Sequence, residues 1–187
     1  MDIEGDLVAE AEKVADLAAE QGVSLLVVGA LALAAYNYVR STGDVDLAGN
    51  LEIQDLRRLA EIFRTKGYHV ELREADAQDP LGGVLDIHSN SGLIQIISFA
   101  QKFPAVIRDA LRDGDMVLRD QSRLRILPLP HLVVLKLYAG GFKSKADIVE
   151  VLSRNPEADL DAIEALCAQY RIGGFKEIRR ELGRDAT

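Results

Sequence analysis

A chain of 187 residues with 48% apolar and 28% charged side chains, 15 Gly and 5 Pro has the makeup of one globular core with room for a small helical extension, and this excludes collagen-like, low-complexity and disordered classes. Thirty acidic residues against 22 Lys and Arg give a net charge of −8, which argues against coating nucleic acid or anionic membrane through bulk charge. A single cysteine, Cys167, leaves neither an intrachain disulfide nor a Cys-based zinc site and fits a reducing compartment.

The opening MDIEGDLVAE is acidic where a targeting peptide is basic. The longest apolar run, Leu25 to Tyr36, has twelve residues, against about 20 for a membrane span. A soluble cytoplasmic protein without a membrane partner is therefore expected.

In chain order, Leu7, Ala11, Val14 and Ala18 recur at helical spacing up to Gln21-Gly22 and predict an amphipathic helix. Ser24 to Val28 reads as a strand buried on both faces, Gly29-Ala30 as a turn, and Ala30 to Val39 as a helix. After the loop Arg40-Ser41-Thr42-Gly43, Asp44 to Ala48 alternates polar and apolar like a half-buried strand. Ile53, Leu56, Ala60 and Phe63 mark a second amphipathic helix stopped by Gly67, and Tyr68 to Leu72 reads as a strand. A turn is expected over Asp79 to Gly83, then a hairpin of Val84 to His88 and Leu93 to Phe99. Pro104 opens a short helix to about Arg112, and Arg123 to Leu127 resembles a last strand. Beyond Pro128 the pattern is helical: His131 to Ala139 behind Pro130, a helix capped by Ser144 with Asp147, then Asp159 to Tyr170 and Phe175 to Leu182. The expected organisation is a mixed α/β portion over residues 1–127 and a helical portion over 128–187, packed as a single unit.

Asp44 and Asp46, two apart on a strand, project to one face while Val45 and Leu47 face the other. Two like charges at that range call for a cation between them, and a rigid pair of oxygen ligands suits Mg²⁺. Asp86, between Leu85 and Ile87, is a third carboxylate among apolar neighbours. Three such groups can hold two cations for phosphoryl transfer. The Gly29 turn before a helix is a natural phosphate site.

The run VVGALALAAYNYVRSTGDVDLAG, residues 27–49, resembles the signature of nucleotidyltransferase-fold proteins: a hydrophobic strand, a small-residue turn, a helix, then Asp-x-Asp. The form Arg40, Thr42, Asp44, Asp46 looks most like the AbiEii-type toxin and related minimal nucleotidyltransferases of toxin–antitoxin and phage-defence systems, and LPLPHLVVLKLYAGGFKSKADIVEVL, residues 127–152, is similar to that group's second motif. The resemblance implies an α+β fold with a mixed sheet flanked by helices. It implies that Gly29 and Ala30 cradle a triphosphate, that Asp44 and Asp46 ligate Mg²⁺ or Mn²⁺, and that Asp86 joins them or deprotonates the attacking hydroxyl. Lys136, Arg40, Thr42 and Asp147 fall to the nucleotide side of such a site. Ala30 departs from the family's Gly or Ser and offers no hydroxyl to a phosphate.

The implied activity is transfer of a nucleoside monophosphate from an NTP to a tRNA 3′ end or a protein side chain, with a cognate toxin or antitoxin as partner. The competing reading is a non-catalytic interaction module of the same fold. His69, His88 and His131 show no His-x-x-x-His spacing, so packing or surface roles are expected for them, although His88 shares a face with Asp86. Cys167 reads as a small core residue. The arginines at 108, 112, 119, 123 and 125 and the later group Lys176, Arg179, Arg180 and Arg184 read as solvated faces paired with acids.

Overall fold

The computed structural model describes residues 3–74, 82–100 and 103–185. Its strands are β1 (Leu26–Val27), β2 (Asp44–Gly49), β3 (His69–Arg73), β4 (Val84–Ser89), β5 (Gly92–Ser98) and β6 (Arg125–Ile126). They form one sheet in the order β3-β4-β5-β2-β1-β6. The pairs β2/β5 and β1/β6 are parallel, and β1/β2, β3/β4 and β4/β5 are antiparallel. Helices α1 (Ile3–Glu20), α2 (Gly29–Ala35), α3 (Ile53–Thr65) and α4 (Pro104–Asp113) interleave with the strands, and α5 (Leu129–Ala139), α6 (Gly141–Ser153), α7 (Leu160–Gln169) and α8 (Phe175–Asp185) follow them. The fold is α+β, as the sequence predicts.

Alternation along the strands decides the two faces of the sheet. Val45, Leu47, Val70, Leu85, Ile87, Ile94 and Ile96 are buried on the face that α1 and α3 cover. Burying such aliphatic side chains stabilises the fold by roughly 1.5–3 kcal/mol each. The apolar cluster is continuous from Leu7 in α1 to Ile178 in α8 and so crosses the expected boundary at residue 127. The other face carries the polar residues.

Three local expectations need correction. Helix α2 stops at Ala35 instead of Val39, because Asn37 adopts a left-handed φ of 62° and its N–H turns back to the Ala34 carbonyl. Helix α6 begins at Gly141, so Ser144 lies inside it and Asp147 is no capping partner. The strand expected over Ser24 to Val28 narrows to Leu26–Val27. Most of the expected turn at Asp79-Pro80-Leu81 lies outside the described residues.

Candidate active site

The sheet register builds the site. Asp46 on β2 is paired with Gln95 on β5, Gln95 with Asp86 on β4, and Asp86 with Glu71 on β3, so four polar side chains stand in one row on the open face. The next row holds Asp44, Leu93, His88 and His69. Asp44 and Asp46 share one face as expected. Asp86 shares it too, but β5 lies between, which sets its Cα roughly 9.5 Å from that of Asp46.

Asp46 sits in a tight place. The antiparallel β1/β2 pairing brings the Val28 N–H to the Asp46 carbonyl at 2.9 Å and lays Gly29 over the Asp46 side chain. Gly29 has φ +64°, and a Cβ there would lie 2.8 Å from Asp46 Cγ and closer still to Oδ2. Only glycine meets both demands. Burial first, and then the Asp44 charge, push the Asp46 pKa up to about 6. Arg40, Lys136 and Lys143 oppose that shift through space. Asp44 is held differently: the Thr42 hydroxyl donates to its carboxylate.

Lys136 and Asp147 meet across the joint between α5 and α6, Nζ to Oδ2 at 2.7 Å, with only 12% and 5% of their side chains exposed. The sequence leaves Lys136 in need of an anion and names a triphosphate as one candidate; Asp147 is the anion found. Arg40 is drawn to the same carboxylate, its Nε 3.6 Å from Asp147 Oδ1, instead of to Asp44. That Nε is buried and makes no hydrogen bond. A cavity of about 350 Å³ beside Asp44 brings together Ala30, Arg40, Thr42 and Asp44, with Leu7, Val8, Leu31 and Val39 as apolar wall.

Asp86 is 8% exposed and already engaged. Arg73 Nε donates to it at 2.6 Å, Arg73 Nη2 at 3.0 Å and Gln95 Nε2 at 2.5 Å. Burial works to raise its pKa, but the hydrogen bonds from Arg73 and Gln95 prevail and leave it below the usual carboxylate range. Gln95, Arg73 and Lys143 were missed from sequence. Gln95 had a signal, being the sole polar residue in Leu93–Ile97, on the alternate that faces away from the core.

The structure also joins what spacing along the chain kept apart. His69 and His88 are cross-strand partners, and with Glu71 they place metal-ligating atoms within 4.8 Å of one another. His131 is instead buried beside Tyr170. Cys167 is buried, and its thiol is pushed up to about 11, first by burial and then by the Glu164 charge. Several expected basic residues are paired with acids: Arg112 with Asp113, Arg119 with Glu12, Arg123 with Asp16, and Arg179 with Asp161 and Glu164.

No family model and no curated protein matches this sequence. Solved structures do. The solution structure of the antibiotic-resistance factor ANT(2″)-Ia is 15% identical over the full length of both chains, with a TM-score of 0.56. Its crystal structure in complex with adenylyl-2″-tobramycin, 16% identical, also gives 0.56 over 88% of this chain and 96% of that one. A nucleotidyltransferase-like protein from Paracoccidioides brasiliensis, 14% identical, gives 0.53 over 84% and 77%, and the Megavirus polyadenylate synthase, 17% identical, gives 0.51 over 79% and 31%. The fold is therefore nucleotidyltransferase-like. Among the described residues no helix is long and apolar enough to cross a membrane.

Proposed function

We propose that this protein transfers a nucleoside monophosphate from an NTP to a hydroxyl acceptor and releases pyrophosphate. One observation carries the reading: a half-buried Asp46, pressed under a glycine that nothing else can replace and destabilised by its neighbour Asp44. A fold that keeps two such carboxylates together is suited to a divalent cation, and the hard oxygen donors fit Mg²⁺ or Mn²⁺. Such an ion, when bound by Asp44 and Asp46, would neutralise the phosphates and polarise the attacked phosphorus.

The chain's own residues then take these roles. The uncapped first turn of α2 at Gly29 and Ala30 directs backbone N–H groups to the phosphates. Arg40, whose buried Nε makes no hydrogen bond, and Lys136 supply positive charge to the same anion. The cavity beside Asp44, large enough for a small-molecule group, takes the nucleoside end against its apolar wall. On the far side Asp86 orients the acceptor hydroxyl. As the acceptor oxygen bonds to the α-phosphorus, the bond from that phosphorus to pyrophosphate breaks, and the hydroxyl proton passes to water. Holding the reactants in line contributes most of the rate.

Candidate acceptors are a tRNA 3′ end, a protein side chain and, by analogy with the fold neighbour in complex with adenylyl-2″-tobramycin, an aminoglycoside. A role in a toxin–antitoxin or phage-defence pair of the AbiEii type rests on the resemblance of the Arg40-to-Asp46 motif and of residues 127–152. The alternative, a non-catalytic binding module, draws on Ala30 and on Asp147, which already occupies Lys136.

The test is incubation with each α-³²P-labelled NTP and Mg²⁺ in the presence of total RNA, a protein lysate or aminoglycosides. Label moving to one acceptor pool, and lost in Asp44→Asn and Asp46→Asn, supports the enzyme. No transfer with any NTP and acceptor, despite nucleotide binding, selects the binding module.

A further inference from the structure

We propose that His69, Glu71 and His88 form a second metal site, for a nitrogen-preferring divalent ion of the zinc class, on the outer two strands of the sheet. The site is independent of the nucleotidyl-transfer reading. Two imidazoles and one carboxylate are a ligand set that Zn²⁺, Ni²⁺ and Cu²⁺ favour over Mg²⁺. It differs in kind from the all-oxygen pair Asp44 and Asp46, and β5 separates the two.

The backbone fixes the ligands before any ion arrives. His69 and His88 are directly opposed in the β3/β4 ladder, and Glu71 follows His69 by two residues on the same face. The imidazole centroids are 5.2 Å apart, and His69 Nε2 lies 3.2 Å from Glu71 Oε1. Donors around a tetrahedral zinc ion lie roughly 3.3 Å apart, given bonds of about 2.0–2.1 Å. One edge of that tetrahedron is thus already present, and the remaining separations, all within 4.8 Å, close by rotating side chains that are all exposed. Three protein ligands leave a further coordination position open, as in metal sites that take up water or a substrate group.

The site also touches the proposed chemistry. His88 is two residues from Asp86 on the same face, so a dication held there would act on that carboxylate through space.

Titration calorimetry of the full chain with ZnCl₂ at neutral pH, in excess Mg²⁺, tests this. One Zn²⁺ per chain is expected. His69→Ala and His88→Ala should each weaken it at least as much as the roughly 10–100-fold lost when supporting partners of a metal site are removed. The double variant Asp44→Asn/Asp46→Asn should bind Zn²⁺ as the parent does. Affinity should fall as pH drops through the imidazole range. Independently of any variant, Cu²⁺ should broaden amide NMR signals of β3 and β4 before those of β2. The proposal is overturned if the parent binds no Zn²⁺, if the histidine variants bind it unchanged, or if the carboxylate variant loses it.

Discussion

Two carboxylates two residues apart on β2 meet different surroundings. Asp44 accepts a hydroxyl from Thr42, whereas Asp46 is buried under Gly29 and opposed by Asp44. Raising Asp46 from the ordinary 3.8 to about 6 means that the folded chain holds this proton more tightly than the unfolded one. Stability from this group is therefore fully present below about pH 4 and is lost as pH rises through about 6. A difference of that size corresponds to roughly 3 kcal/mol, an upper figure for a half-buried group. In metal-free buffer Asp46→Asn should be more stable than the parent near pH 8, by up to that amount, and equal to it near pH 4. Denaturant titration at both pH values measures it, and a gain of the same size at both would show that the charge is not the cause.

The junction between β1 and α2 is the element on which the candidate site depends. Gly29→Ala meets both a left-handed φ and the Asp46 side chain, so it should displace that carboxylate. A misplacement of about 1 Å costs on the order of 10²-fold in rate. Label transfer by Gly29→Ala should fall that far while far-ultraviolet circular dichroism is retained; unchanged transfer would remove Gly29 from the account. At this scale the sequence was readable where periodicity is strong. The alternation in DVDLA, VLDIH and LIQII placed three strands and the face of three aspartates. What periodicity does not carry is pairing. Nothing along the chain puts His69 opposite His88, Gln95 between Asp46 and Asp86, or Asp147 against Lys136, because register and helix packing decide those contacts. The three-residue spacing of Ser144 and Asp147 matches a capping box, but α6 starts on the second glycine, which puts both inside the helix.

Across the whole molecule, the C-terminal helices are tied to the sheet layer by more than apolar packing. Asn155, 5% exposed just after α6, donates through Nδ2 to the Tyr36 carbonyl at the end of α2 and to Val151. The Tyr36 hydroxyl in turn donates to the Leu127 carbonyl at 3.1 Å. Asn155→Ala leaves the partly buried Tyr36 carbonyl short of a donor and should cost about 1–3 kcal/mol. It should do so in a single cooperative unfolding transition, because the apolar cluster spans both portions. Two separated transitions in the variant would show that the portions fold independently.

The glycine pair between α5 and α6 gives this arrangement a thermodynamic consequence. Gly140 and Gly141 both hold left-handed φ values, 70° and 79°, and a Cβ at either would touch nothing within 4 Å. The joint itself is thus uncrowded, and the Lys136–Asp147 bond spans it from one helix to the next. A phosphate arriving at Lys136 does not meet a vacant ammonium. On the proposed reading it would have to displace a carboxylate that is already there, so Asp147 would lower the affinity of every phosphate ligand at that cation alike.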